Sequence, residues 1–378
     1  MNAHLLGLIA LTWLCIGRTS LANDSSMGGS GADLVPLARS DVHMLSEDIL
    51  IVAADDDHWA ITANYVFVNR SQQAARIQVG FPEYHCDSSL GGDCVAERPV
   101  DFKSLQTTID GKPVKHRKGR VRSDHPWSLE LGNVWVYDAV FPPDKTVHIA
   151  HSYRMLHGGN VSADHLGYYV TRTGAVWAGT IGKARFRVRV PISSNSIDTG
   201  NPAPPLQTTV HVIKEQGQLF GEIVYTAENW EPTADLFFSY RNTRHPYLDD
   251  MAPGYEAALK RANPQTGLHC TRFMDLREEG HLMQRSADVP TAEQVNDFVK
   301  TGIGDARTCR NLLFALHGKR FKRPALNRQF YGPAGFEPGT FPFEAFEPNP
   351  YFNNSMLSRG DWNTLKLIET IVANPNGL

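Results

Sequence analysis

The sequence is poor in the features that announce chemistry. It contains no G-x-S-x-G elbow, no H-E-x-x-H, no Walker loop and no G-x-G-x-x-G. That excludes the motif-bearing serine hydrolases, zincins, P-loop enzymes and dinucleotide enzymes. Charge of one sign is also lacking: 37 Lys and Arg stand against 40 Asp and Glu, a formal net charge of −3. The chain as a whole therefore has no attraction for nucleic acid or anionic lipid, and any such attraction must be local. Long hydrophobic runs are missing except at the start, where Leu5 to Ile16 is apolar but too short to span a bilayer. Cysteine is scarce, with five in 378 residues.

The features that are present describe an exported protein. The first apolar run is followed by Ser20-Leu21-Ala22, with small residues where a signal peptidase reads, so residues 1–22 are expected to be a signal peptide cleaved after Ala22. The expected location is periplasmic or extracellular, with no membrane span after cleavage. Removing Cys15 leaves Cys86, Cys94, Cys270 and Cys309, an even number in an oxidising space. Of the three possible pairings we favour Cys86 with Cys94, closing a short loop, and Cys270 with Cys309. No C-x-x-C spacing supports a zinc site instead, and neither a metal nor another cofactor is expected.

Residues 23–245 read as strands. Trp59, Ile61, Ala63, Tyr65 and Phe67 alternate with Ala60, Thr62, Asn64 and Val66, the period of a half-buried strand. Ile77 to Phe81, Leu105 to Ile109 before Asp110-Gly111, Val147 to Tyr153 and Val210 to Phe238 extend the pattern. Residues 246–300 form a connecting region with short helices, and 301–378 a small helical domain. Within it Asp305 to Gly318 reads as a helix with Cys309, Leu312, Leu313 and Leu316 on one face and a glycine stop. Pro324 opens a second helix, and Asp361 or Ser358 can cap a last one carrying Trp362, Leu365 and Ile368. The expected class is α+β multidomain: an antiparallel β-sandwich-like domain followed by a small, mainly α-helical one.

Two stretches resemble known families. Met44 to Ile49, Val68-Asn69-Arg70-Ser71, Val79 to Pro82, Tyr169 to Gly179 and Asn229 to Thr233 are together similar to a bacterial exported domain family of unknown function. Arg310 to Leu326, with Phe314-Ala315-Leu316-His317-Gly318 at its centre, resembles the YARHG domain, although Phe314 and Leu316 replace its Tyr and Arg. That resemblance implies a cell-envelope setting and a binding or docking module.

The candidate binding residues are accordingly Arg310, Asn311, Phe314, His317, Gly318, Lys319, Arg320, Lys322 and Arg323. His317 could act chemically or could fix the Gly318 turn. Asp55-Asp56-Asp57-His58 lacks the ligand alternation of a calcium loop and reads as an acidic hairpin tip. An odd spacing sends His148 and His151 to opposite faces of a strand. Two further basic clusters, from Lys112 to Arg122 and the Lys183-Arg185-Arg187-Arg189 ladder, could bind an anionic polymer or pair with the protein's own acids. The expected function is a non-catalytic exported envelope protein. Its partner would be a cell-wall glycan, another anionic polymer or an envelope protein, and not nucleic acid. The alternative is a hydrolase of an envelope polymer, with His317 and an acid from the connecting region at the domain junction.

Overall fold

The computed structural model describes residues 25–28, 35–36, 41–55, 58–82, 101–120, 133–159, 165–169, 171–194, 196–198, 206–233, 236–241, 306–333, 337–343 and 346–357, with positions 361, 362, 365, 366, 368 and 369. The expected signal peptide, the 246–300 connection, Arg122 and Cys86, Cys94 and Cys270 lie outside these residues.

The chain opens with β1 (Ser25–Gly28), β2 (Val35–Pro36), β3 (Val42–Ala53), β4 (His58–Asn69), β5 (Ala75–Pro82) and β6 (Asp101–Ile109). Next come β7 (Lys112–Pro113), β8 (Arg117–Arg120), β9 (Asn133–Phe141), β10 (Thr146–Leu156), β11 (Gly158–Gly159) and β12 (His165–Tyr169). The last strands are β13 (Ile181–Pro191), β14 (Ser196–Asp198), β15 (Gln207–Glu215), β16 (Gln218–Trp230) and β17 (Leu236–Arg241). Helices α1 (Ala306–Leu316) and α2 (Pro324–Tyr331) follow. The protein is thus mostly sheet with a small helical C-terminal part, as the patterning predicts.

An eight-stranded sheet runs β15-β16-β13-β3-β4-β10-β6-β7, beside a five-stranded sheet β2-β1-β5-β9-β8 and a four-stranded sheet β11-β12-β17-β14. The period-two pattern of β4 puts Trp59, Ile61, Ala63, Tyr65 and Phe67 on one buried face. Both smaller sheets lie on that face: Phe67 meets Phe141 of the five-stranded sheet, and Trp59 meets Phe238 and Tyr240 of the four-stranded one. Trp177 is buried against Phe67 and Phe141, a packing role. At the predicted hairpin Asp110 and Gly111 both have positive φ (49° and 76°), the requirement of a primed turn.

One expectation is corrected. The large sheet is not purely antiparallel, because β13 pairs with β3 in parallel from Lys183–Ser46 to Arg189–Val52. Parallel neighbours need a long crossover, and here most of the β-rich chain lies between the two strands, a separation that strand periodicity does not encode.

In the C-terminal part the stripe of α1 is buried as expected, at Cys309, Leu312, Leu313 and Leu316. Asp361, Leu365 and Ile368 are buried too, but Trp362 is 45% exposed and does not belong to the apolar stripe. The segment after α2 reaches the β-rich part: Phe341 and Phe343 join the same hydrophobic cluster as the inward residues of β3, β4 and β13. A Cβ on Gly221 of β16 would fall 1.9 Å from Phe341 Cε1, so the missing side chain makes the seat for that ring.

Candidate functional site

The candidate binding residues gather at the end of α1. Gly318, at φ +80°, takes the left-handed conformation that ends the helix. Its N–H donates to Ala315 O at 2.9 Å, and Lys319 N–H donates to Phe314 O at 3.1 Å, the doubled closure of a Schellman motif. A Cβ at Gly318 would collide with Asn349 and with the Glu347 carbonyl, each at 2.6 Å. The Asn349 N–H in turn donates to Gly318 O.

The loop that follows is held by side chains. Asn327 Oδ1 accepts from Phe321 N at 2.8 Å while its Nδ2 donates to Phe321 O at 2.7 Å, and Tyr331 Oη donates to Lys319 O at 2.6 Å. A fixed loop thus carries Arg320, Lys322 and Arg323, with Arg328 on α2, all exposed. Among the described residues these four have no ion-pair partner. Lys319 and Arg310 differ. The Lys319 ammonium sits 3.8 Å from the Phe314 ring centroid and 5.7 Å from that of Phe352. Burial in this aromatic cleft, aided by the Arg310 charge, lowers its pKa below the usual lysine range. Arg310 lies 3.5 Å from Glu369 and also faces Phe314. Asn311 is half-buried on α1.

His317 is not a surface group. Its Nε2 lies 3.0 Å from Asp361 Oδ2, with 3% and 0% of the two side chains exposed. The sequence gives no sign of this partner, which stands far along the chain at the start of another helical segment. Being sealed, the pair packs the helix end and cannot meet a polymer. Cys309 is buried and disulfide-bonded, and the other expected cysteines lie outside the described residues.

The three arginines of the strand ladder are already paired with acids, while Lys183 is exposed without an ion pair among the described residues. Arg185 and Arg187 (2.9 Å) both pair with Asp48, and Arg189 pairs with Glu222 (2.7 Å) and Glu215. Burial pushes the Asp48 carboxyl up, but the Arg185 and Arg187 hydrogen bonds and charges together outweigh it and bring the pKa below the ordinary carboxylate value. In the other cluster Arg117 lies 3.3 Å from Asp138, and Lys118 sits 5.1 Å over Trp135. Asp55 at the acidic tip engages His58 and Arg154. His148 is exposed and His151 buried, on opposite faces.

Sequence reasoning missed a polar strip inside the β-rich part. Thr107 Oγ1 lies 2.6 Å from His151 Nδ1 and 2.7 Å from His116 Nε2. Nearby, the Tyr65 and Tyr169 hydroxyls are 2.6 Å apart, and Glu47 is buried on the same face of the large sheet. Burial, reinforced by Tyr65, Tyr153 and Glu47, holds the Tyr169 phenol well above its ordinary pKa, so it stays neutral. Alternation carried back from Ile49, Ile51 and Ala53 points to Glu47, whereas alternation carried forward from Val42 and Met44 points to Ser46; the bulge between Met44 and Ser46 decides for Glu47. Among the described residues no group of three or more His, Cys, Asp or Glu could hold a metal ion, and no described helix is long and apolar enough to cross a membrane.

Against known proteins, the model of a domain of unknown function, DUF4424, matches residues 22–125. That is a shorter stretch than the one over which the exported-family motifs run. No YARHG match is found at the C-terminus, which overturns the resemblance read there. The physical reason lies in the helix end. Phe314 and Leu316 are buried and Gly318 closes a Schellman turn, so the motif reports a capped, packed helix terminus, which many helices share.

Among solved structures, a proposed nutrient binding protein of Legionella pneumophila is 19% identical, with a TM-score of 0.49 over 92% of this chain and 99% of that one. An M1 zinc metallopeptidase of Deinococcus radiodurans is 12% identical (TM-score 0.32, 54% of this chain and 43% of that one). A proposed protease of Parabacteroides distasonis is 13% identical (TM-score 0.29, 70% and 50%). With TM-scores below 0.5, none of these likenesses fixes the fold or activity of this chain. No curated protein matches it.

Proposed function

We propose that the chain is an exported, non-catalytic binding protein of the cell envelope that holds an anionic envelope polymer on Arg320, Lys322, Arg323 and Arg328. The observation that carries this reading is the contrast between basic clusters. The arginines of the strand ladder are held by Asp48, Glu215 and Glu222, whereas these four cations are exposed and unpaired among the described residues, three on a loop clamped by Asn327 and Tyr331 and Arg328 on the helix that follows. A fixed cationic loop pays little ordering entropy on binding a flexible polyanion. Export is supported by the leader-like start and by the disulfide at Cys309. We further propose that the large sheet and the two smaller ones make a β-sandwich, supported by the aromatic contacts between their facing sides.

The test is co-sedimentation of the chain with purified cell-wall sacculi, or capture on lipopolysaccharide micelles, across a salt series. Binding should weaken steeply between low and physiological salt, because exposed charges are screened over about 8–10 Å there. The triple variant R320E/K322E/R323E should lose it. Undiminished, salt-insensitive binding by that variant would refute the reading. The hydrolase alternative gains no support, since His317 is sealed against Asp361.

A further inference from the structure

We infer that His157 and His165 form a two-histidine site for a transition-metal ion with tetragonal preference, Cu(II) above all. The site lies where the large sheet hands over to the four-stranded one: His157 directly follows β10, and His165 opens β12. Their Nδ1 atoms are 2.8 Å apart. Neighbouring ligands of a tetragonal site with metal–nitrogen bonds near 2.0 Å are about 2.8–2.9 Å apart, and those of a tetrahedral site about 3.3 Å. The observed spacing fits the first.

At this separation one ring N–H donates to the other ring's nitrogen, and an ion taking the site would displace that proton. The ring centroids are 4.7 Å apart and the planes are inclined by 70°. The rings are also set in place by other groups. Tyr240 stacks on His165 at 4.6 Å, and Trp59 lies edge-on to His157 at 4.8 Å. Trp59 Nε1 donates to Leu166 O at 3.0 Å, which pins β12 beside β4. Orientation of ligating rings by surrounding groups is what a metal site requires. Both histidines are only half-buried, so an ion can enter, and the remaining coordination positions fall to water or a small exogenous ligand. Zn(II) should bind more weakly than Cu(II), by ligand-field order and by the spacing.

The experiment is titration of the untagged full chain with Cu(II) alone, followed by electron paramagnetic resonance, beside H157F and H165F. Phenylalanine keeps a ring between Trp59 and Tyr240, and the unfolding transition checks each variant. The expected result is a tight Cu(II) site in the wild type with splitting from two imidazole nitrogens, lost in either variant. The same spectrum and affinity in the H157F/H165F double variant would overturn the inference. So that a misfolded variant does not leave the question open, the wild-type chain is also modified with diethyl pyrocarbonate with and without Cu(II). Protection of His157 and His165 supports the site, and equal modification overturns it.

Discussion

The seat of Phe341 on Gly221 can be tested by a change that should help in any other strand. Gly221 lies inside β16, paired with Val190 of β13 and Val212 of β15. Alanine in a strand interior ordinarily improves on glycine by roughly 0.5–1 kcal/mol, through the unfolded-chain entropy that glycine loses. At this position the added methyl would stand 1.9–2.0 Å from two atoms of the Phe341 ring, a ring only 6% exposed. The ring must move, and overpacking of this kind costs about 1–3 kcal/mol. Gly221→Ala is therefore expected to destabilise. Phe341→Ala alone should cost about 3–5 kcal/mol, the range for emptying a buried phenylalanine site. In the double variant no ring remains to clash with, so the alanine should recover its ordinary benefit and the pair should be less damaging than the sum, by about 0.5–3 kcal/mol. Urea unfolding of the four proteins, followed by tryptophan fluorescence, measures each term. A stabilising G221A, or two single effects that add within about 0.5 kcal/mol, would refute the docking of this segment on the sheet.

Other expectations follow from the charges and the helix end. E222Q removes the more buried of the two carboxylates on Arg189 and, with Glu215 still paired, should cost about 1–3 kcal/mol, whereas E215Q, on the half-exposed partner, should cost under about 1 kcal/mol; denaturant midpoints separate them. Because the folded Asp48 pKa lies below its ordinary value, this carboxylate contributes stability that is fully present above the unfolded pKa and is lost as pH falls through the folded one. D48N should therefore flatten the acid limb of the stability–pH curve and leave the alkaline limb unchanged. Gly318→Ala should cost upward of about 1 kcal/mol, since φ is +80° and the new Cβ meets backbone, and thermal unfolding reads the loss directly.

The elements were legible where local physics decides them. Alternation in β4, the Asp110-Gly111 turn and the apolar stripe of α1 each depend on residues within a few positions, and each is found as expected. What joins distant residues was not legible. The parallel partnership of β3 with β13, the pairing of His317 with Asp361 and the seating of Phe341 on Gly221 leave no periodic trace. The candidate site shows both sides of this. A run of Lys and Arg is visible in any sequence, but only the fold tells that Lys319 is held between two phenylalanines and Arg310 faces Glu369, which leaves Arg320, Lys322, Arg323 and Arg328 exposed. The YARHG resemblance failed for a related reason: a short motif at a helix end records capping chemistry, and capping is common to many folds.

The parallel pairing also sets an order of events during synthesis. β3 ends at Ala53 and can form its ladder with β4 at once, but its other edge belongs to a strand that begins only at Ile181. At about 5–20 residues per second the ribosome needs on the order of ten seconds to cover that interval. Throughout it the nascent chain presents an open, hydrophobic strand edge that can pair with another copy. A nascent chain arrested shortly before Ile181 should accordingly be captured by chaperones and aggregate on release, and one arrested well after Pro191, with β13 clear of the ribosome, should do so far less.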